Sequence, residues 1–579
     1  MSAHPEMARS RRPVNGAGVV ALAISALLTT SCPIGQRPLF SSHRSVSSSA
    51  FGVASIVRAL GHDLDGSAAQ RADLSGSDGQ APEEAGEWPA PHGEELTQLA
   101  HEVEQRSALD SRSAGSPASA LEPAPLAPLA ARRGPALSLV ATAKETLVYE
   151  TPSFTARKLG YLRAGAVVGR SAKPASRAGC SGGFYRIQPA GYVCAGKSAS
   201  LDLEHPVAVL SRTEPDPRAA LPYRYGMSRF PLPPFYTKLP SREEQQRVEP
   251  DRPFGNASGG LAGAPRGVRD AWQDIVVEPV PELLAGGRPA PTLNGHFHSP
   301  ESVYSGRAIA KSGFAFLSFF EVDGRRFGLS RDLDVMPLDR LTPVEASQFR
   351  GVELGGDFEL PVAFVRQRGA QLYRGDPKRS GLSIVRPLAF REAVALSQRE
   401  ARTLGMSYVE TRSGEWVRAD QVVIVEPAKN QPGWAKPGRT WIDISILRQS
   451  LVAYEGSRPL YATLVSTGAG GLGDPKETHA TVQGQFLIHT KHLTATMSGD
   501  EVGDEFELRD VPFVQYFTEG YALHAAYWHD SFGRPRSHGC INLSPLDASW
   551  LFHWTDPPVP AGWHGAMSLR EGTLISIHP

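Results

Sequence analysis

Toward the carboxyl end of the chain, apolar residues gather in short β-branched and aromatic runs separated by turn signals. Trp441-Ile442-Asp443-Ile444-Ser445-Ile446 and Gln449-Ser450-Leu451-Val452-Ala453-Tyr454 are strand-like, and Glu455-Gly456-Ser457-Arg458 marks a tight turn before a third run at Leu460 to Ser466. A polar loop at Asp474 to Thr481 precedes further strand character at Val482 to Ile488, and Thr573 to Ile577 closes the pattern. A β-meander is therefore expected from about residue 438 onward.

Upstream, three segments share a tyrosine ahead of a proline turn: Leu147 to Pro152, Pro234 to Pro240 and Gln371 to Pro377. Each is followed by an aromatic or β-branched hairpin, at Phe184 to Val193, Phe319 to Val335 and Tyr408 to Val425. In the third, Tyr408 to Thr411 and Glu415 to Val417 flank the turn Arg412-Ser413-Gly414, an arrangement that resembles bacterial SH3-like modules. The repeat predicts three small β-barrel units at 137–205, 220–345 (with an insert near 241–305) and 355–430. Short strands with Gly/Pro turns also occur in many other all-β folds. Barrels of this kind bind cell wall or hold a catalytic domain at a distance, and the sequence does not choose between the two.

The pattern is different before residue 137. Residues 33–136 are rich in Ala, Ser, Gly and Pro with little aliphatic periodicity beyond a short helical stretch near Glu94 to Val103, and read as a disordered tether. Arg9, Arg11 and Arg12 precede an apolar run from Ala17 to Leu28 that is too short to span a bilayer, which reads as an export signal over residues 1–32. The run ends in Leu28-Thr29-Thr30-Ser31-Cys32, which resembles a bacterial lipobox; ordinary signal cleavage is the alternative. A periplasmic protein, held to a membrane through a lipid on Cys32, is the expected location. Lys plus Arg equals Asp plus Glu at 60 each, which removes the electrostatic drive toward nucleic acid.

Export also bears on the cysteines, of which there are 4. Cys180 and Cys194 flank two strand-like runs joined by a Gln188-Pro189-Ala190 turn, within disulfide reach. Cys540 is left over, and a leftover cysteine in an exported protein needs a reason. Its surroundings supply one. Ala522-Leu523-His524-Ala525 and Ser537-His538-Gly539-Cys540-Ile541-Asn542-Leu543 bring two imidazoles near a thiol in sequence. A nearby imidazole either stabilises the thiolate as an ion pair or takes its proton, so His524 and His538 are both candidate bases. Gly539 permits backbone geometries closed to other residues, so that amide N–H groups can approach a tetrahedral oxyanion.

An upstream His, a spacer, then Ser/Thr-His-Gly-Cys-hydrophobic-Asn resembles the signature of the L,D-transpeptidases (YkuD-like), a likeness that covers residues 438–579. The resemblance implies a mainly β protein whose C-terminal L,D-transpeptidase domain follows SH3-like modules and a tether. It implies Cys540 as nucleophile, His524 as general base, Ser537, His538 and Gly539 as shapers of the site, and Asn542 as the anchor of the motif. Trp528, His529 and Arg536 are candidate substrate contacts, Arg536 because a guanidinium binds carboxylates bidentately. The substrate implied is the tetrapeptide stem of peptidoglycan, processed through a thioester without metal or organic cofactor, to form 3-3 cross-links or to acylate another amine. Release by water, as an L,D-carboxypeptidase, and a non-catalytic cell-wall-binding scaffold lipoprotein are the alternatives. A zinc site from His524, His529, His538 and Cys540 lacks the usual ligand spacing, and a thiol redox role lacks a nearby resolving cysteine.

Overall fold

The carboxyl-terminal runs form strands β1 Thr440–Ser445, β2 Ser450–Glu455, β3 Arg458–Leu464, β4 Gly484–Leu487, β5 Thr490–Gly499, β6 Phe506–Thr518, β7 Tyr521–Ala525, β8 Ile541–Leu543, β9 Gly565–Met567 and β10 Leu574–His578, with one helix, α1, at Pro545–Trp554. They belong to a computed structural model that describes residues 137–579 apart from 214, 217–218, 252–271, 273, 294–301, 380 and 502. The export run, Cys32 and the tether lie outside the described residues. The fold is mainly β, and no helix among the described residues is long and apolar enough to cross a membrane.

The meander β1 to β3 is extended by β10, which pairs parallel to β1, and by β4, antiparallel to β10. Successive side chains of a strand point to opposite faces. Thus Ile442, Ile444, Leu451 and Ala453 enter one core with Phe513, Leu523, Ile541 and Leu551. Trp441, Val452, Tyr454 and Leu464 enter another with Phe349, Val362, Phe364 and Val425. Burial on both faces explains why these strands read as nearly continuous apolar runs rather than as alternation.

Helix α1 begins at the N-cap Ser544, whose Oγ accepts the Asp547 N–H at 3.1 Å, with Pro545 opening its first turn. At its other end the fully buried Lys491 Nζ donates to the carbonyls of Phe552, at 2.5 Å, and Thr555, at 2.7 Å. The unpaired carbonyls of a helix terminus are thus satisfied by the N–H groups of a lysine amine.

The upstream segments are not spaced away from this domain. In the first, strand Lys158–Leu162 pairs with β9 (Gly160↔Ala566, Tyr161↔Gly565). In the second, strand Gly313–Val322 meets β6 at Gly313↔Leu508. One sheet of 16 strands therefore runs through both segments and the carboxyl-terminal domain. The third segment has its own seven-stranded sheet, joined to the domain through the core around Trp441. Buried ion pairs reinforce the junction: Arg163 reaches Asp332 at 3.4 Å and Asp510 at 3.1 Å, and Arg509 reaches Asp334 at 3.3 Å. All described residues belong to one compact unit. Cys180 and Cys194 are joined by a disulfide, with Cα atoms 6.0 Å apart.

Candidate active site

Strands β7 and β8 run parallel, with Leu523↔Ile541 and His524↔Asn542 in register. The parallel register puts His524 beside Asn542, and Cys540 lies in the bend immediately before β8. All three border a cavity of about 450 Å³, together with Ser537, His538, Trp528 and Arg536. Met497, Phe506 and Leu508 form an apolar wall, Asp504 stands at its rim, and Met227 and Lys311 enter from the second upstream segment.

The turn carrying Cys540 is held from several sides. Ser537 Oγ donates to the Cys540 carbonyl and accepts the Gly539 N–H at 3.1 Å. Thr481 Oγ1 donates to the Gly539 carbonyl at 2.7 Å and accepts the Gly468 N–H at 2.8 Å. Gly539 has φ +124°, and a Cβ there would lie 2.8 Å from the Tyr521 ring. Only glycine satisfies both the conformation and the close approach. Since its N–H is committed to Ser537, the Gly539 amide is not presented to an oxyanion, contrary to the expectation from sequence. Its contribution is the shape of the turn.

Cys540 itself is 1% exposed, its Sγ 3.8 Å from the Gly520 carbonyl oxygen. The nucleophilic form is the reduced thiol.

His524 is 2% exposed, and burial pushes its pKa down to about 4, so the ring is neutral at pH 7. Its Nδ1 lies 3.2 Å from the Ala525 carbonyl, which accepts only an N–H and so selects the tautomer with a bare Nε2. Trp528 stacks on the ring with centroids 5.7 Å apart. His538 points elsewhere: its Nε2 is 2.6 Å from Asp504 Oδ2. Hydrogen bonds from Lys311 and His538 hold the Asp504 carboxyl down at about 2.

His529 does not line the cavity. Its Nδ1 accepts the Ser531 N–H at 3.2 Å, and its Nε2 lies 2.9 Å from Asn542 Nδ2. A neutral imidazole cannot accept at both nitrogens. With Nδ1 accepting, the proton sits on Nε2, which calls for the Asn542 amide to be turned so that Oδ1, without a hydrogen bond among the described residues, faces it. Burial, with Arg536 nearby, lowers His529 to about 3 and keeps it neutral. His529 thus supports Asn542 rather than reaching the cavity. The loop carrying it is gripped by Arg391 of the third segment, whose guanidinium pairs with the Asp530 carboxylate.

The residues read from sequence as Cys540, His524, Asn542, Ser537, His538, Trp528 and Arg536 are thus brought together around one cavity. Sequence reading missed Asp504, Met227 and Lys311; a lone Asp between strands and two residues far upstream carry no local signature. Among the described residues no group of three or more His, Cys, Asp or Glu is arranged to hold a metal ion.

Residues 439–577 match the family model of the L,D-transpeptidase catalytic domain, YkuD. YciB of Bacillus subtilis (strain 168), a candidate L,D-transpeptidase, is 26% identical over 161 residues, covering 22% of this chain and 71% of its own. An L,D-transpeptidase of Enterococcus faecium, solved by crystallography, is 21% identical over 24% of this chain and 50% of its own, with a TM-score of 0.19. One from Xylanimonas cellulosilytica DSM 15894 is 21% identical over 26% of this chain and 65% of its own, also with a TM-score of 0.19. The chain thus spans half to two thirds of these two structures.

Proposed function

Proceeding from a YkuD L,D-transpeptidase catalytic domain at residues 439–577, we propose that this chain is a cysteine-dependent acyltransferase acting on peptidoglycan tetrapeptide stems. The observation that carries the reading is that one cavity is bordered both by Cys540, in the bend before β8, and by a neutral histidine of β7 whose Nδ1 proton is held by Ala525. That tautomer leaves Nε2 of His524 as the proton acceptor.

In the proposed sequence the Cys540 proton passes to His524. The sulfur attacks the carbonyl carbon of the third stem residue, and the bond to the terminal D-alanine breaks as its nitrogen takes the proton back. The resulting thioester is then attacked by an amine, which gives up a proton and restores the thiol. A diamino-acid side chain as the amine gives a 3-3 cross-link, and water gives an L,D-carboxypeptidase. Asn542 and the Ser537–Gly539 turn hold the strand end that presents the sulfur.

The test is mass spectrometry of products after incubating the reduced protein with disaccharide-tetrapeptide muropeptides, alongside Cys540→Ala. Dimers lacking one D-alanine, formed only with the cysteine, are expected. Unchanged tetrapeptide with folded, reduced wild type would sink the reading. His524→Asn should lower kcat by about 10²–10⁴-fold, the usual contribution of a positioned base. We also propose that the chain is an exported lipoprotein of the periplasm, as the run before Cys32 suggests. Labelling with a radioactive fatty acid that persists in Cys32→Ser would refute it.

A further inference from the structure

The catalytic cavity receives two side chains from outside the catalytic domain, Met227 and Lys311. The charged groups around it are Lys311, Arg536 and Asp504, alongside the ionisable His538. With two cations against one carboxylate, the rim favours an anionic ligand. Arg536 lies on the loop before the nucleophile, but Lys311 belongs to a segment with no part in the catalytic strands.

Lys311 is placed there with unusual firmness. Its backbone is left-handed, at φ +57°, a conformation uncommon for residues with a side chain. The neighbouring Ser312 fixes the turn: its N–H donates to Ser228 Oγ at 3.0 Å, and its Oγ donates to the Ile309 carbonyl at 2.9 Å. Gly313 then joins β6 opposite Leu508, so near Tyr527 that a Cβ would fall 2.2 Å from its hydroxyl. Tyr527 in turn packs edge-on against Trp528, the residue stacked on His524. The turn is therefore registered to the catalytic strands through packed groups.

At the end of this turn Lys311 Nζ lies 2.5 Å from Asp504 Oδ1, and its side chain remains 58% exposed. An ammonium has three donor positions. The pairing with Asp504 aims the group along the rim and leaves donors for a second carboxylate. Asp504 also holds His538, so the same carboxylate links the upstream lysine to the nucleophile turn.

Resting on the acyltransferase reading above, we propose that Lys311 is a specificity residue: the upstream segment supplies, through this ammonium, a binding site for a free carboxylate of the stem peptide. Asp504 is the positioning residue that holds Lys311 in place. Two carboxylates of the donor share this chemistry, that of the terminal D-alanine and that on the side chain of the third residue.

The experiment measures kcat and KM for the reduced full chain and its Lys311→Met and Lys311→Arg variants. Three donors are compared: the tetrapeptide, its terminal amide, and the amide of the third-residue side chain. Lys311→Met should raise KM for the free tetrapeptide about tenfold, as expected for loss of a charge-assisted hydrogen bond, with kcat within about twofold. Lys311→Arg should restore most of the affinity. The amide that wild type and Lys311→Met bind equally well identifies the carboxylate concerned. A KM rise equal for all three donors would mean a structural role and overturn the proposal, as would an unchanged KM. Binding of the tetrapeptide to Cys540→Ala, measured by calorimetry with and without Lys311→Met, separates the two readings. Lysine-dependent binding without turnover in the wild type supports the carboxylate site while refuting acyl transfer. Turnover without lysine dependence does the reverse.

Discussion

His524 is neutral because it is buried, and that has a cost at low pH. Its ordinary value is 6.5 and the folded chain lowers it to about 4. Between those two values the unfolded chain binds a proton that the native chain does not. The stability from this group is therefore complete above pH 6.5 and is lost as pH falls toward 4, by about 3 kcal/mol at 1.36 kcal/mol per pH unit. Urea denaturation at pH 7 and pH 4 should show at least this loss in the wild type and a smaller one in His524→Asn. Gly539 makes a second prediction. An alanine there faces an unfavourable φ and the Tyr521 ring, so Gly539→Ala should cost about 1–3 kcal/mol in stability. It should also lower kcat, because the turn it shapes presents Cys540. These residues were legible in the sequence because their chemistry is local: a thiol, two imidazoles and a glycine within one short motif. The protonation of His524 was not legible, since it depends on what covers the ring.

Strands β1 to β4 and β10 follow the apolar runs closely, but β5 and β6 were not read as strands. Their buried Lys491, His492, Thr494, Asp510 and Gln515 break the apolar pattern. Several of these polar groups find partners across the fold, as His492 does with the Tyr161 hydroxyl at 2.9 Å. Helix α1 was also missed, although Ser544-Pro545-Leu546-Asp547 is a helix-start signal. Ser544→Ala removes its cap and should lower stability by about 1 kcal/mol, read from the urea midpoint. The junction of strand Gly313–Val322 with β6 is more demanding. Gly313→Val would force Tyr527 away and should cost about 1–3 kcal/mol from overpacking. It should also reduce turnover even though no catalytic-domain residue has been altered. Circular dichroism melts and steady-state kinetics on the same preparation check both effects.

Two upstream segments hold the carboxyl-terminal domain near the cavity, Lys311 on Asp504 at its rim and Arg391 on Asp530 in the loop after Trp528. Since the 16-stranded sheet passes through the first and second segments and the catalytic domain, described residues 137–579 should unfold in a single cooperative transition. Residues 438–579 alone would expose the edges of β6 and β9 and lose one wall of the cavity. They are expected to aggregate or bind muropeptides weakly, which sedimentation and calorimetry would show. Sequence alone determined the β-rich carboxyl-terminal domain, the cysteine and histidine motif, and the strand-rich character of the segments before it. Each of these is written in short-range periodicity or in a contiguous motif. Only the tertiary structure decided that those segments share a sheet with the catalytic domain, that His524 is buried and neutral, and that Lys311 stands at the rim. Such pairings join residues as far apart as Lys311 and Asp504, and the edge hydrogen bonds and burial that make them leave no periodic mark on the chain.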